Sequence, residues 1–341
     1  MVPCYHPLVG VPNGVRVDTG KMQYKILPYN EKYFKDKYIE GAVTIPCGNC
    51  IGCRLEYSRQ WANRCLLESK YHDSCYFVTL TYNEEAVPRS WYVDERTGEA
   101  NEALTLRKKD FQRFMKVLRR RFPDDHIRFF AAGEYGDNTF RPHYHAILFG
   151  LHLKDLQVYQ ENLDGNLYLH SKSLQNCWDV VNSRCESKES ITPLASRGMV
   201  IVADFCWETC AYVARYVVKK QKGPAFAFYQ MHNIEPPFSL MSRKPGIGRQ
   251  YFDDHPDCYE YDYINVSTPK GGRKFRPPKY FDRLHELAAE DDSLQMKELR
   301  RKLAEEQKKV KMTQTDLPYL DMLVVEESAQ QSKIKALKRS V

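Results

Sequence analysis

The sequence predicts an α+β fold, an antiparallel central sheet with covering helices, and three observations carry that expectation. Cys75–Tyr82, Ile127–Ala132, His143–Phe149 and Gly198–Ala203 are short segments rich in aromatic, apolar and β-branched residues, as strands are. Leu106–Phe122 and Phe205–Lys220 are longer, contain neither Gly nor Pro, and read as helices. Only a polar turn around Gly136-Asp137-Asn138 separates two of the strands, which makes them a hairpin. Strands that pair locally and helices with one apolar face build a sheet under a helical layer.

Taken in order, residues 1–70 read as an N-terminal Cys-rich arm with a lead-in helix. Pro3, Pro7, Pro12 and Pro28 argue for irregular backbone up to about residue 40, and Cys53 to about Lys70 has helical periodicity without breakers. Residues 71–225 form the core. Within it, Pro88 and Gly98 mark a loop before the clearest amphipathic helix, Leu106–Phe122. Its stripe is Phe111, Phe114, Met115, Leu118 and Phe122, and its other face is basic, fit for solvent or for phosphate. Residues 151–198 are polar and read as an insertion with a short helix around Leu174–Val181. Residues 226–282 form a basic and aromatic extension. The last segment, 283–341, reads as a charged helix to Met312 followed by a loosely ordered tail.

A chain of 341 residues suggests about two domains, and 43% hydrophobic residues suffice for a sizeable core. No apolar run approaches the about 20 residues of a membrane helix, and Met1–Lys21 lacks an apolar export core, so no membrane partner is expected. The net charge of +7 favours a polyanionic partner without proving one. Eleven cysteines, an odd number without an export signal, argue against a disulfide framework and for metal binding or burial. Cys47, Cys50 and Cys53 stand at C-x2-C-x2-C. Thiolates at that spacing can wrap one structural Zn²⁺ if Cys4, His6 or Cys65 supplies the fourth ligand. A ferredoxin-type cluster would want a cysteine at position 57, where Tyr57 stands. Cys206 and Cys210 read as helix packing.

The chemistry concentrates in two segments. On a strand His143 and His145 project from one face and Tyr144 from the other, so the imidazoles form a metal platform. The hairpin brings Glu134 beside them as a third ligand. Two imidazoles and a carboxylate suit Mn²⁺ by ligand softness, while abundance favours Mg²⁺. On the second helix Tyr212 and Tyr216 stack one turn apart. A metal beside two hydroxyl nucleophiles points to transesterification of a phosphodiester.

These motifs, with the strand Phe77-Val78-Thr79-Leu80-Thr81-Tyr82, resemble the HUH endonucleases, rolling-circle replication initiators, in their two-tyrosine branch. Pro46-Cys47-Gly48-Asn49-Cys50-Ile51-Gly52-Cys53-Arg54, Gly133-Glu134-Tyr135-Gly136 and Met241-Ser242-Arg243-Lys244-Pro245-Gly246-Ile247-Gly248 are similar to segments of the initiators of small single-stranded DNA phages of the microvirus, gokushovirus-like type. The resemblance covers about residues 1–280. It implies a ferredoxin/RRM-like core and an enzyme that nicks the viral-strand origin. Tyr212 and Tyr216 would act in turn through a 5′-phosphotyrosine, the second cleavage closing the circle. Lys219 matches a Tyr-x-x-Lys pattern, and Lys220 is its understudy. The implied partners are single-stranded and supercoiled phage DNA and the host helicase and polymerase, in the cytoplasm of a bacterial host. Tyr144 departs from the aliphatic residue usual between the histidines.

Two further segments are candidate DNA contacts, with Arg243, Lys244 and Arg249 in one and Arg273, Lys274 and Arg276 in the other. Both interleave basic residues with aromatics and glycines, which suits unpaired bases and phosphates. Competing readings are a single-tyrosine HUH transposase or relaxase and a non-catalytic single-stranded DNA-binding protein. A histidine-triad hydrolase fails because Ile147 stands where a third histidine would be needed. The nearest approach to a nucleotide-binding loop, Gly14–Met22, has one residue too many and ends on Met22 where a hydroxyl is required.

Overall fold

The structure is a computed structural model that describes residues 3–18, 20, 22–30, 39–136, 138–162, 165–181, 193–218, 224–268 and 271–336. The chain divides into two compact units, one made of residues 1–57 and 284–341, the other of residues 58–283.

The first unit opens with a three-stranded antiparallel sheet, order β2-β1-β3, from β1 (Leu8–Val15), β2 (Met22–Pro28) and β3 (Val43–Ile45). An irregular arm was expected here on the strength of its prolines. The strands tolerate them because the register of β1 shifts between Pro12 and Val15, and because Pro28 ends edge strand β2. Helix α1 (Ile51–Glu68) has residues in both units.

The second unit is built on a seven-stranded antiparallel sheet of order β14-β7-β8-β4-β13-β10-β9. Its elements follow along the chain. Strand β4 (Cys75–Leu80) precedes a hairpin of β5 (Arg89–Val93) and β6 (Ala100–Leu104), then α2 (Lys108–Arg121). Next come β7 (Arg128–Tyr135), β8 (Pro142–Phe149), β9 (Leu156–Glu161), β10 (Leu167–Ser171) and α3 (Lys172–Trp178). The short pair β11 (Val180–Val181) and β12 (Pro193–Ala195) leads to β13 (Val200–Asp204), α4 (Trp207–Val218) and α5 (Pro224–Met231). Strand β14 (Phe238–Met241), α6 (Arg249–Asp254) and the hairpin β15 (Ile264–Thr268) and β16 (Gly271–Phe275) complete the run to α7 (Lys279–Ala288). The segment read as an insertion thus widens the sheet: β10 pairs with β13, and β9 forms the far edge with Val158 and Tyr159 exposed. An edge strand open to solvent has no apolar run to betray it.

Alternation of side chains gives this sheet two buried faces. Val78, Leu80, Ala131, Tyr144, Ala146 and Leu148 pack with Phe111, Phe114, Met115 and Leu118 of α2 and with Leu174 and Trp178 of α3. Phe130, Ala132, Ile147 and Phe149 face the other way, onto Trp61, Ala62 and Cys65 of α1 and Cys210, Val213 and Ala214 of α4. The basic face of α2 is exposed, and Arg119, Arg120 and Arg121 fall in its last turn, where cations suit the helix dipole.

The chain ends in the first unit with α8 (Glu290–Met312) and α9 (Tyr319–Ala336). A loosely ordered tail was expected after Thr313, but α9 is anchored: Met322 and Leu323 are buried beside Tyr5 and Cys50. Among the described residues no helix is long and apolar enough to cross a membrane.

Candidate metal and nucleophile site

Strand β8 lies between β7 and β4, so its side chains are positioned by pairing on both sides. Tyr144 faces the α2 side, fully buried, and its hydroxyl bonds the Tyr82 hydroxyl at 2.7 Å and the Arg107 carbonyl at 2.9 Å. His143 and His145 face the α1/α4 side. In register, His143 is opposite Glu134 of β7, and His145 is opposite Ala132 of β7 and Thr79 of β4. The Nε2 atoms of both histidines lie 2.9 Å from Glu134 Oε1. Glu134 and His145 are buried, while His143 is partly open.

The outer nitrogens are fixed. His143 Nδ1 is 3.1 Å from the Arg141 carbonyl, an acceptor only, so this nitrogen carries the proton and the Nε2 of a neutral ring presents a lone pair. His145 Nδ1 is 2.9 Å from Thr79 Oγ1. Burial holds the pKa of His145 below its ordinary value, opposed by the Glu134 carboxylate and reinforced by His143, so that ring is neutral. Lone pairs turned toward one carboxylate oxygen require a positive charge among them, a proton on His143 or a metal cation. The donor set fits a cation well. Neighbouring ligand atoms each about 2.1 Å from a divalent ion stand about 3 Å apart. The second oxygen, Glu134 Oε2, is buried with no hydrogen-bond partner among the described residues. Outer-shell support comes from Thr79 and the Arg141 carbonyl. Thr79 lay in a quoted strand, but its partnership with His145 depends on cross-strand register, which spacing along the chain does not reveal.

Helix α4 begins with a reciprocal cap. Cys206 Sγ accepts from the Thr209 amide at 3.4 Å, and Thr209 Oγ1 accepts from the Cys206 amide at 3.0 Å. Its buried stripe includes Cys210, which therefore serves packing, as its spacing suggested. Two bonds tie it to α1: Ser58 Oγ donates to the Ala211 carbonyl at 2.5 Å, and Trp207 Nε1 donates to Asn63 Oδ1 at 2.8 Å. So held, the half-buried Tyr212 sets its ring edge-on to His145 with centroids 5.0 Å apart, and 6.2 Å from Phe77. Phe77 stacks on His145 at 5.4 Å. Tyr216 belongs to the last turn of α4, but its side chain lies outside the described residues, as do Lys219 and Lys220 entirely.

The basic candidates are dispersed. Arg243 and Lys244 are exposed just beyond β14. Their loop is tied to the core: Ile247 is fully buried, its carbonyl accepts from Arg64 Nε at 3.0 Å, and the Gly248 amide donates to Glu68 at 2.6 Å. Arg249 pairs with Asp253 at 2.8 Å. Arg273 lies 4.0 Å over the Trp207 ring and 3.1 Å from Glu208, which joins β16 to the start of α4. Lys274 sits 3.5 Å over the Tyr263 ring, and Arg276 is 3.5 Å from Asp262.

In the first unit, the sulfurs of Cys4, Cys47, Cys50 and Cys53 all lie within 4.8 Å of one another. Of the alternatives for the fourth position, His6 instead meets Glu327 at 2.7 Å, and Cys65 is buried under the large sheet.

A family of phage-type replication-associated proteins, described by its member ORF2, matches residues 75–221, from β4 to just beyond α4. The chain is 31% identical over 306 residues to the replication-associated protein ORF2 of Spiroplasma virus 4, covering 87% of this chain and 85% of that one. It is 27% identical over 242 residues to the replication-associated protein VP4 of Bdellovibrio phage phiMH2K, covering 70% and 66%. With the replication-associated protein ORF4 of Chlamydia phage 1 it shares 26% over 184 residues, 52% of this chain and 38% of that one. No solved structure matches it. The strand and helix that carry the histidines and tyrosines fall inside the matched region, and the chain belongs to the family of phage replication-associated proteins.

Proposed function

We propose that this replication-associated protein is a metal-dependent DNA endonuclease and strand transferase that starts and ends rolling-circle replication of a circular phage genome in the host cytoplasm. The observation that carries this reading is the convergence of Glu134, His143 and His145 on one point, with the Tyr212 ring against His145. A Mg²⁺ or Mn²⁺ ion bound by those three residues supplies Lewis acidity to the non-bridging oxygens of a scissile phosphate. Thr79 and the Arg141 carbonyl hold the imidazoles in the ligating tautomer. Tyr212 is the nucleophile: its phenolic oxygen bonds to phosphorus as the bond to the 3′ oxygen breaks, the phenolic proton leaves, and the released oxygen takes one up. The products are a 5′-phosphotyrosine and a 3′-OH that primes synthesis, with the bond energy retained. Tyr216, one turn on, repeats the step at the regenerated origin, and the free 3′-OH resolves the first link. Lys219 is the cation for the phenolate. Phage DNA and the host's helicase and polymerase are the partners.

The test is incubation of the purified chain with Mn²⁺ and single-stranded DNA of its own genome, read on a denaturing gel. Wild type should form a covalent adduct that survives in Tyr212→Phe and in Tyr216→Phe but not in the double variant. An adduct lost in Tyr212→Phe alone would make it a single-tyrosine enzyme, and DNA binding without any adduct would leave only a binding protein.

A further inference from the structure

The four-cysteine cluster lies outside the proposed nuclease site, in the other unit, and nothing in the replication chemistry uses it. Its geometry is specific. Cys50 Sγ is 3.9 Å from Cys4 Sγ, and Cys47 Sγ is 4.0 Å from Cys53 Sγ. A disulfide would hold its sulfurs at about 2.05 Å. Thiolates about 2.3 Å from a single tetrahedral Zn²⁺ stand about 3.8 Å apart. An iron–sulfur cluster would spread them farther, because its irons and sulfides lie between the thiolates.

The backbone is arranged for thiolates as well. Cys47 Sγ accepts from the Asn49 amide at 3.4 Å and the Cys50 amide at 3.3 Å. Cys4 Sγ accepts from the Cys47 amide at 3.2 Å, and Cys50 Sγ from the amides of Tyr5 at 3.3 Å and Cys53 at 3.5 Å. Five amide donors aimed at sulfur offset the negative charge of a tetrathiolate. Two glycines make the geometry accessible. Gly48 adopts φ +77°, a left-handed turn that swings the next amides toward Cys47, and a Cβ on Gly52 would fall 2.0 Å from the Pro3 carbonyl oxygen.

From this we infer that Cys4, Cys47, Cys50 and Cys53 bind one structural Zn²⁺ ion that holds the first unit together. The apolar cluster around the cysteines is small: Tyr5, Cys50, Met322 and Leu323 are its buried members, with Met312 and Tyr319 packed against them. That cluster joins the first residues of the chain to α8 and α9 across nearly the whole sequence, and so little apolar surface is a thin core for a unit of this size.

Elemental analysis of the full-length protein, purified without added metal, is the test, together with Co²⁺ exchange. One zinc per chain should be found in wild type and in His143→Ala, and lost in Cys4→Ser and Cys53→Ser. Co²⁺-exchanged wild type should show the intense visible bands of tetrahedral cobalt with thiolate charge transfer in the near ultraviolet, a readout that does not depend on how the variants fold. Iron in place of zinc, zinc that persists in both cysteine variants, or wild type with neither zinc nor a tetrahedral cobalt spectrum would each overturn the assignment.

Discussion

Glu134 has one oxygen 2.9 Å from both imidazole Nε2 atoms and the other buried without a hydrogen-bond partner among the described residues. A carboxylate in that position is costly unless a cation neutralises it. Glu134→Gln keeps the shape and removes the charge, so titration calorimetry should find Mn²⁺ binding at this site abolished; unchanged affinity would remove Glu134 from the ligand set. Thr79 touches His145 through Nδ1 only. Its isosteric Thr79→Val variant should bind Mn²⁺ about 10–100-fold more weakly, because outer-shell partners orient the ring and raise its basicity. An affinity equal to wild type would mean that β-sheet packing alone orients the imidazole.

At the scale of elements, the nucleophile's position depends on how α4 sits on α1 and the sheet. Ala214 is fully buried in that contact. Ala214→Leu should therefore cost about 1–3 kcal/mol by overpacking, seen as a lower melting temperature. Glu68, at the end of α1, links β7 and the loop before α6: it accepts from Arg128, from the Gly248 amide and from His72. Burial opposes its ionisation, but the hydrogen bonds from His72 and Gly248 and the Arg128 charge outweigh it, holding the carboxyl below its ordinary 4.5. Its stabilisation is thus present above pH 4.5 and lost as the pH falls through the lower folded-state value. The wild-type melting temperature should drop in that window, and Glu68→Gln should start lower at neutral pH and show less of the drop. Parallel curves for the two proteins would contradict this. The elements that hold the site were legible because β4, β7, β8 and α4 are buried and carry apolar runs. Strands β1, β2 and β9 were not, since proline placement at a bulge or edge and open solvent leave no periodic signal. The anchoring of α9 by Met322 and Leu323 against Tyr5 joins residues too distant in sequence for any local pattern. Likewise, the motif spacing allowed Cys4, His6 or Cys65 as fourth partner, and only the fold brought Cys4 in.

At the scale of the whole molecule, the net charge of +7 is modest, and several of the basic candidates are already engaged with carboxylates or rings of the same chain. Arg243 and Lys244 are the exposed members of the set. Replacing both with Ala should weaken single-stranded DNA binding and reduce the slope of log affinity against log salt by about 0.7 per lost phosphate contact. An unchanged slope would assign DNA to another face. The two proposed metal sites belong to different units, so their losses should be separable. The account's central claim, that a tyrosine of α4 attacks the phosphodiester, is tested most directly by mass spectrometry of tryptic peptides from full-length protein reacted with Mn²⁺ and origin-bearing single-stranded DNA. The account predicts a nucleotide joined through its 5′ phosphate to Tyr212 or Tyr216, absent in His145→Ala. Nicked DNA with free 5′ phosphates and no linked peptide, or a link to a residue outside α4, would contradict it.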